Sequence, residues 1–430
     1  MNRNRTAAAA AASLALVLAG CATSTDDGGS NEGSGDGGPV ELRFQSLAFQ
    51  ESTIEATQDI VDAWNEENPD AQVEYVQGSW DSVQDQLVTQ FQGGTAPDII
   101  QYESAAMTQF AQQGYLADLS DHLSDEVQSA VSDDIWQTVT FDDQVIAAPT
   151  LLQSYVVFAN RDLLEEAGVE IPEGDTWSWD DFQAAAEATT QGDVHGLGWG
   201  LGDPTATMMS LGLNFGAQYF EGAGDEAEVQ VGEAELALPE RIHEMVYEDQ
   251  SLDPVTLTQS GSDVMTQFLK GRYAMTVQGS YVAQTLAESA PKDLDWVVMP
   301  ALEADTAEQA ANPQTLSVSA QSEGVEQAAE FIDFYMQAEH LAAVAEGDWL
   351  IPASTDAAAV VEENTGGENG WSTILASGEF LTQAPFQAAT SYPQWKDQIA
   401  TPSFQRFLGD EISADELATE LTEGWQSVNR

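Results

Sequence analysis

The feature that most constrains the fold is a regular alternation of short apolar segments with amphipathic ones, beginning at residue 40. Residues 40–44 alternate apolar and polar side chains, which is typical of a half-buried β-strand. The next segment carries apolar residues at helical spacing through Trp64, and Pro69 ends it. Residues 73–76 and 97–100 repeat the strand pattern, with a second helical segment between them. Strands that alternate with helices predict βαβ units and a mostly parallel sheet.

A second region of the same kind begins with the apolar residues 155–158. Ser178 with Asp181, and later Ser413 with Glu416, have the spacing of helix N-terminal caps. The body of the chain is too long for one small hydrophobic core. We therefore predict an α/β protein with two domains.

The N-terminus has the pattern of a secretory signal. Two arginines precede an apolar run over residues 7–18, which is too short to span a membrane. The run ends in Leu-Ala-Gly-Cys, which resembles the lipobox of bacterial lipoproteins, and Cys21 is the only cysteine. We predict a signal peptide over residues 1–20, a lipid attached to Cys21, and a flexible acidic tether of Gly and Ser over residues 21–39.

The net charge is extreme. The chain has 11 Lys and Arg residues against 73 Asp and Glu residues, giving a formal charge of −62. Such a chain is a poor partner for nucleic acid or an anionic surface. The acidity has two interpretations. It would suit a protein that binds cations or basic peptides. We favour the second interpretation, a surface adapted to high salt, as in proteins of salt-loving (halophilic) organisms. A single cysteine excludes a disulfide within the chain.

Four stretches, in order along the chain, carry a family pattern. They are residues 64–73 (WNEENPDAQV), 91–99 (FQGGTAPDI), 160–177 (NRDLLEEAGVEIPEGDTW) and 268–281 (FLKGRYAMTVQGSY). Together they resemble the maltose-binding-like family of extracellular solute-binding proteins of ABC sugar importers. The resemblance implies the two-lobe, type II periplasmic-binding-protein fold, with a hinge and an interlobe cleft.

The resemblance also implies how the chain is organised and what it does. We expect hinges near Pro149 and Asn312. The first lobe would consist of residues 40–148 and about 312–348. The second lobe would consist of residues 149–311 and about 349–430. The expected function is to capture a sugar by hinge closure and deliver it to the membrane subunits of an ABC importer. The protein would act as a monomer without a cofactor, anchored by its lipid at the extracytoplasmic face of the cell membrane.

Ligand-binding residues are expected where strands end, because ligands of open α/β sheets lie outside the carboxyl ends of the strands. Sugar rings stack on aromatic side chains, and their hydroxyl groups bond to carboxylates and amides. The loops that follow the predicted strands contain both kinds of side chain. The candidates are Glu51, Trp80, Asp81, Tyr102, Glu103, Tyr155, Trp199, Tyr281 and Trp349.

Two alternatives to a sugar-binding protein stay open. The acidic loops would also suit a cationic or peptide solute such as a polyamine or an oligopeptide. A secreted polysaccharide hydrolase is the other alternative, although no motif singles out a pair of carboxylates. The four histidines lack HExxH spacing and the chain has no G-x-S-x-G motif, so we assign no catalytic or metal-binding residue and predict no enzyme.

Overall fold

The computed structural model describes residues 39–429, and these belong to one compact unit. The predicted signal peptide, Cys21 and nearly all of the tether lie outside the described residues. Eighteen strands occur in this part of the chain: β1 Val40–Ser46, β2 Ala71–Gln77, β3 Ile99–Glu103, β4 Thr140–Phe141, β5 Gln144–Val145, β6 Ala148–Leu152, β7 Tyr155–Asn160, β8 Thr176–Ser178, β9 His195–Gly198, β10 Phe220–Glu221, β11 Glu228–Val229, β12 Tyr273–Gly279, β13 Trp296–Val298, β14 Ala301–Glu303, β15 Gln309–Ala310, β16 Gln314–Val318, β17 Ile351–Pro352 and β18 Leu381–Thr382.

Eighteen α-helices accompany them in residues 39–429: α1 Glu51–Glu67, α2 Val83–Gly93, α3 Ser104–Gln112, α4 Asp125–Ala130, α5 Asp133–Gln137, α6 Arg161–Ala167, α7 Trp179–Thr189, α8 Thr205–Leu211, α9 Glu233–Tyr247, α10 Gly261–Phe268, α11 Val282–Ser289, α12 Val325–Tyr335, α13 Ala338–Asp348, α14 Thr355–Thr365, α15 Trp371–Ser377, α16 Tyr392–Trp395, α17 Thr401–Leu408 and α18 Ala414–Val428. Short 3-10 helices lie at Gly212–Phe215, Pro254–Thr258, Glu368–Gly370, Gly378–Phe380 and Pro385–Ala388, and one π-helical turn at Lys396–Ala400.

The first lobe is built on a six-stranded sheet in the order β17-β6-β16-β3-β1-β2. Strand β1 pairs in parallel with both β2 and β3, which confirms the βαβ units predicted from the alternation. Strands β16 and β17 return from late in the chain and pair antiparallel to their neighbours. Helix α1 buries Ile60, Val61 and Trp64 in the first-lobe core, and the Trp64 ring packs edge-on against Phe331.

The second lobe is built on a four-stranded sheet in the order β13-β7-β12-β9. Ser178 caps α7, since its Oγ accepts a hydrogen bond from the Asp181 amide, and Ser413 caps α18 in the same way through Glu416, as the sequence predicted. Helices α17 and α18 pack beside α9, and α18 contributes Trp425 to the core of this lobe. The C-terminal helices therefore complete the second lobe.

The chain passes between the sheets at several points. Strand β6 ends at Leu152 in the first sheet and β7 starts at Tyr155 in the second, so Pro149 lies within a strand of the first sheet. Between the two strands, Ser154 bonds to the buried Ser377 with their Oγ atoms 2.6 Å apart. Strand β17 pairs with β6 in the first sheet, although the expected boundary at residue 349 would assign it to the second lobe.

Candidate ligand-binding cleft

The carboxyl ends of β1, β2 and β3 meet at one edge of the first sheet, and a buried amide organises the loops there. The Gln101 Oε1 accepts hydrogen bonds from Ser46 Oγ at 2.9 Å and from the Leu47 amide at 2.7 Å. Its Nε2 donates to Gln314 Oε1 at 2.8 Å. These bonds fix the turn after β1 against β3 and β16, so the loops at this edge have a defined shape.

Two predicted aromatic residues lie together at this edge. The rings of Trp80 and Tyr102 are 5.9 Å apart and tilted by 44°. Tyr102 is 8 % exposed, whereas Trp80 is partly buried. Burial and, to a smaller extent, the neighbouring Glu103 carboxylate together raise the pKa of Tyr102 to about 12. Tyr102 therefore keeps its proton at neutral pH and can donate a hydrogen bond.

Glu103 is the last residue of β3, and Asn312 orients its carboxylate. The Asn312 Nδ2 donates to Glu103 Oε2 at 2.9 Å. Since this bond occupies only one of the two oxygens, Glu103 keeps acceptor capacity for a ligand.

The second lobe contributes Tyr155, at the start of β7. Gln309 holds its backbone on both sides: Oε1 accepts from the Tyr155 amide at 2.8 Å, and Nε2 donates to the Tyr155 carbonyl at 3.0 Å. Burial raises the pKa of the Tyr155 hydroxyl, a hydrogen bond with Thr207 lowers it, and Tyr281 and Asp203 raise it again.

Tyr281 follows β12 and directly precedes α11. Its side chain is 48 % exposed. An ideal Cβ at Gly279 would lie 2.5 Å from the Tyr281 Cε1 atom, so the ring rests on the glycine backbone. One side of the ring is therefore supported and much of the remainder is open to solvent.

Two residues at the same place were missed by the sequence analysis. Burial raises the pKa of Tyr392 above its usual range, and Tyr155, Asp203 and Glu103 contribute in that order. Asp203 accepts a hydrogen bond from Thr401 Oγ1 at 3.0 Å. Asp203 follows β9 and could have been found by the strand-end rule, whereas nothing in the sequence marks Tyr392.

The two lobes touch directly at the rims of the cleft. The Gln50 Nε2, from the loop after β1, donates to Gln284 Oε1 of α11 at 2.7 Å. The Gln112 Nε2, at the end of α3, donates to Thr390 Oγ1 at 3.1 Å. Both bonds join the first lobe to segments packed on the second, so the lobes are in direct contact at two places.

Four of the predicted ligand-binding residues have no contact within residues 39–429 that places them in the cleft. Trp199 is 1 % exposed and its ring stacks on Trp179 at 6.3 Å, because its side chain points into the core of the second lobe. We therefore leave Trp199 out of the site. Trp349 is partly buried, with its ring stacked on Trp371 at 5.1 Å. Glu51, the first residue of α1, and Asp81, in the loop after β2, are both exposed.

The candidate cleft therefore combines phenol rings, carboxylates and amides from both lobes. Within residues 39–429, no group of three or more His, Cys, Asp or Glu side chains is arranged to hold a metal ion. In the same part of the chain, no helix has both the length and the apolar character needed to cross a membrane.

Sequence comparison defines the class of protein. The profile of the bacterial extracellular solute-binding proteins matches residues 50–342. A protein of Streptomyces antibioticus, named as an uncharacterized lipoprotein in the oleD 5′ region, is 39 % identical over 383 residues. That alignment covers 88 % of this chain and 85 % of the relative. The chain belongs to the bacterial extracellular solute-binding protein family.

Solved structures agree in fold. The cyclic α-maltosyl-1,6-maltose binding protein from Arthrobacter globiformis superposes with a TM-score of 0.79 at 17 % identity, over 91 % of this chain and 99 % of that one. An ABC substrate-binding protein from Listeria monocytogenes, in complex with cycloalternan, gives a TM-score of 0.72 at 20 % identity, over 91 % and 98 % of the two chains. The predicted two-lobe periplasmic-binding-protein fold is thus confirmed.

Proposed function

We propose that this protein is the substrate-binding lipoprotein of an ABC importer and that it captures a carbohydrate between its lobes. The observation that carries the proposal is that Tyr102 and Glu103 end a strand of the first sheet, that Tyr155 and Tyr281 lie at one edge of the second sheet, and that hydrogen bonds join the two lobes. Aromatic rings offer apolar area to the C–H face of a sugar. The Glu103 carboxylate can accept hydrogen bonds from the sugar hydroxyl groups, and the tyrosine hydroxyl groups can donate and accept.

Capture follows from the placement of these groups on two bodies. A ligand that contacts both lobes stabilises the arrangement in which they are close together, so it shifts the population toward closure. Among the predicted contacts, Trp80, Tyr102, Glu103, Tyr155 and Tyr281 belong to the proposed site. Glu51, Asp81 and Trp349 stay candidates at its rims. The closed form would then be recognised by the importer's membrane subunits.

The lipid anchor and the location are part of the same proposal. The Leu-Ala-Gly-Cys sequence at Cys21 would place a lipid at the mature N-terminus, followed by the tether. The name of the Streptomyces antibioticus relative, a lipoprotein, supports this. We propose a monomer at the extracytoplasmic face of the membrane that binds its solute without catalysis or a cofactor.

One observation favours a cationic solute as a second candidate. Glu103 forms no ion pair within residues 39–429, and, besides burial, its negative charge and that of Asp203 both raise the pKa of Tyr392. Lys396 forms an ion pair with Asp203, with its Nζ atom 3.7 Å from Asp203 Oδ2. A polyamine or a basic peptide would bring its own positive charge to this place.

Thermal unfolding with a ligand panel tests the proposal. The mature protein, in high salt, is heated with mono- and oligosaccharides, polyamines and short peptides. A ligand at a hundredfold excess over Kd stabilises the native state by about 2.7 kcal/mol. The expected result is that one class of sugar alone raises the midpoint temperature of unfolding. A shift only with polyamines or peptides would replace the sugar with the second candidate, and breakdown of an oligosaccharide would indicate a hydrolase.

A further inference from the structure

Strand β2 is a long edge strand of the first-lobe sheet. The strand order β17-β6-β16-β3-β1-β2 leaves one side of β2 without a partner strand, and β2 is seven residues long. The opposite edge strand, β17, has two residues, one of which is Pro352. Short strands and prolines protect sheet edges from pairing with other chains. Strand β2 has neither protection, because its sequence is AQVEYVQ.

The peptide groups of β2 alternate between its partner β1 and the free side. The Val40 amide donates to the Asp70 carbonyl, and the Gly78 amide donates to the Ser46 carbonyl. Since these bonds join β2 to β1 in their parallel register, the even-numbered residues of β2 point toward β1 and the odd-numbered residues point away. The unpaired edge of β2 therefore consists of Ala71, Val73, Tyr75 and Gln77.

The end of helix α1 covers the first half of this unpaired edge. The Asn65 side chain bonds as a neighbouring peptide group would: its Oδ1 accepts from the Val73 amide at 2.7 Å, and its Nδ2 donates to the Val73 carbonyl at 2.9 Å. The Ala71 amide donates to the Asn68 carbonyl at 3.1 Å, and the Ala71 carbonyl accepts from Trp64 Nε1 at 2.9 Å. Residues 64–68 thus satisfy four outward-facing peptide groups.

The second half of the unpaired edge is open. Within residues 39–429, no hydrogen bond from outside the sheet reaches the Tyr75 amide or carbonyl. The strand is rich in residues of high β propensity, and Glu74 is its only charged residue. Segments of this composition without proline pair readily with copies of themselves. Loss of the Asn65 bonds would extend the open edge from Val73 to Gln77.

We propose that Asn65 blocks the free edge of β2 and thereby keeps the first-lobe sheet from pairing with the same strand of a second copy. A second copy fits this edge, because it presents an identical strand and two such strands can pair antiparallel about a twofold axis. The block matters most in high salt, where the repulsion between chains of charge −62 is screened. This inference does not depend on which solute the protein binds.

Analytical ultracentrifugation of Asn65 variants in high salt tests the block. Asn65→Leu removes both bonds to Val73, so the weight-average mass should rise with protein concentration to about twice that of the native protein or more. Asn65→Asp keeps an acceptor for the Val73 amide but has no donor, so it should associate more weakly. It also provides the test if Asn65→Leu does not fold. Asn364→Leu is the matched control, because Asn364 donates to Glu346 at 2.7 Å on an exposed surface, and it should stay monomeric.

A proline on the unpaired edge separates strand pairing from misfolding. Tyr75→Pro removes an outward-facing amide and leaves the bonds of the even-numbered residues to β1 in place. The double variant Asn65→Leu/Tyr75→Pro should therefore return to the monomer. The double variant Asn65→Leu/Tyr75→Ala, which keeps the amide, should still associate. Unfolding curves verify that each variant is folded.

Three results would overturn the inference. A folded Asn65→Leu protein that stays monomeric at every salt and protein concentration would show that the edge needs no block. Association that Tyr75→Pro fails to suppress would place the contact elsewhere on the molecule. Association of the native protein that Tyr75→Pro alone abolishes would show that residues 64–68 leave the edge free to pair.

Discussion

The side chain of Asn312 joins Glu103 to the start of α3: its Nδ2 donates to Glu103 Oε2 at 2.9 Å, and its Oδ1 accepts from Ser104 Oγ at 3.1 Å. Asn312 belongs to the segment through which the chain returns from β15 to β16. The orientation of a carboxylate in the proposed site is therefore set by a residue of the interlobe connection.

Removing the Glu103 carboxylate should weaken ligand binding. We expect Glu103→Ala to reduce the affinity for the bound sugar by about tenfold or more, because hydrogen bonds to charged groups contribute roughly 1.5–3 kcal/mol. Glu103→Gln should lose less, since an amide still accepts from a hydroxyl group. Calorimetry measures both, and Glu187→Ala, on the exposed face of α7, is the matched control. A far larger loss in Glu103→Gln than this would indicate a cationic solute.

Breaking the bond between Gln50 and Gln284 should favour the open arrangement. A neutral hydrogen bond contributes about 0.5–1.5 kcal/mol, so Gln50→Ala should shift the ratio of closed to open protein by roughly two- to tenfold. Small-angle X-ray scattering of the ligand-free protein should then report a larger radius of gyration. Gln128→Ala removes a hydrogen bond within the first lobe, to the Leu123 carbonyl, and should leave the radius unchanged. Equal radii for both variants would contradict a closing role for Gln50.

Asp348 should make the folded protein less stable as pH rises, which is the opposite of the usual effect of a carboxyl group. The residue is 6 % exposed and accepts from Thr53 Oγ1 at 2.5 Å. Burial raises its pKa above the usual 3.8, while the Thr53 bond partly lowers it. A raised pKa in the folded state means that the folded protein binds more protons, so this carboxyl destabilises the fold as pH rises above about 3.8 and has no such effect below it.

The corresponding experiment compares Asp348→Asn with the native protein in denaturant at several pH values. The variant should be the more stable at neutral pH, and the difference should shrink as the solution approaches pH 4. Asp263 is the control of opposite sign, because hydrogen bonds from Ser260 lower its pKa. Asp263→Asn should therefore destabilise the protein at neutral pH. A destabilised Asp348→Asn at pH 7 would show that the ionised form is preferred.

Trp199 should affect stability and not ligand affinity. Its ring is 1 % exposed and lies against Trp179 in the second-lobe core. Trp199→Ala should lower the free energy of unfolding by about 3–5 kcal/mol, the usual cost of truncating a buried large aromatic residue. Sugar affinity, measured at a temperature where the variant is folded, should stay within a few-fold of the native value. A selective loss of binding in a fully stable variant would return Trp199 to the site.

Local patterns in the sequence predicted the first elements of each lobe, and the family resemblance predicted the two-lobe fold. The alternation after residue 40 located β1 through β3 with their helices, and the serine caps at Ser178 and Ser413 were placed correctly because capping depends on residues three positions apart. The pairing of β17 with β6 was not predictable in this way. It joins segments about two hundred residues apart, and no local periodicity carries that information.

The candidate site was predictable to the extent that strand ends are. Tyr102 and Glu103 end β3 and Tyr281 follows β12, as the strand-end rule expects. Tyr155 begins β7, and it lies at the same edge of the sheet because β7 runs antiparallel to β12. Trp199 also follows a strand, but its side chain turns inward, and one residue of register decides that. Tyr392 reaches the cleft from a C-terminal helical segment, so only the tertiary structure reveals it.

The position of β16 between β3 and β6 affects how the protein can fold during its synthesis. The chain is synthesised from its N-terminus, so β1, β2, β3 and β6 are made before β16, the strand that joins β3 to β6. The intervening second sheet can assemble first. Until residue 318 has been synthesised, two strands of the first sheet, β3 and β6, have unpaired edges that can pair wrongly. We therefore expect the second lobe to begin folding before the first, and the sheet of the first lobe to be completed only when β16 has been added.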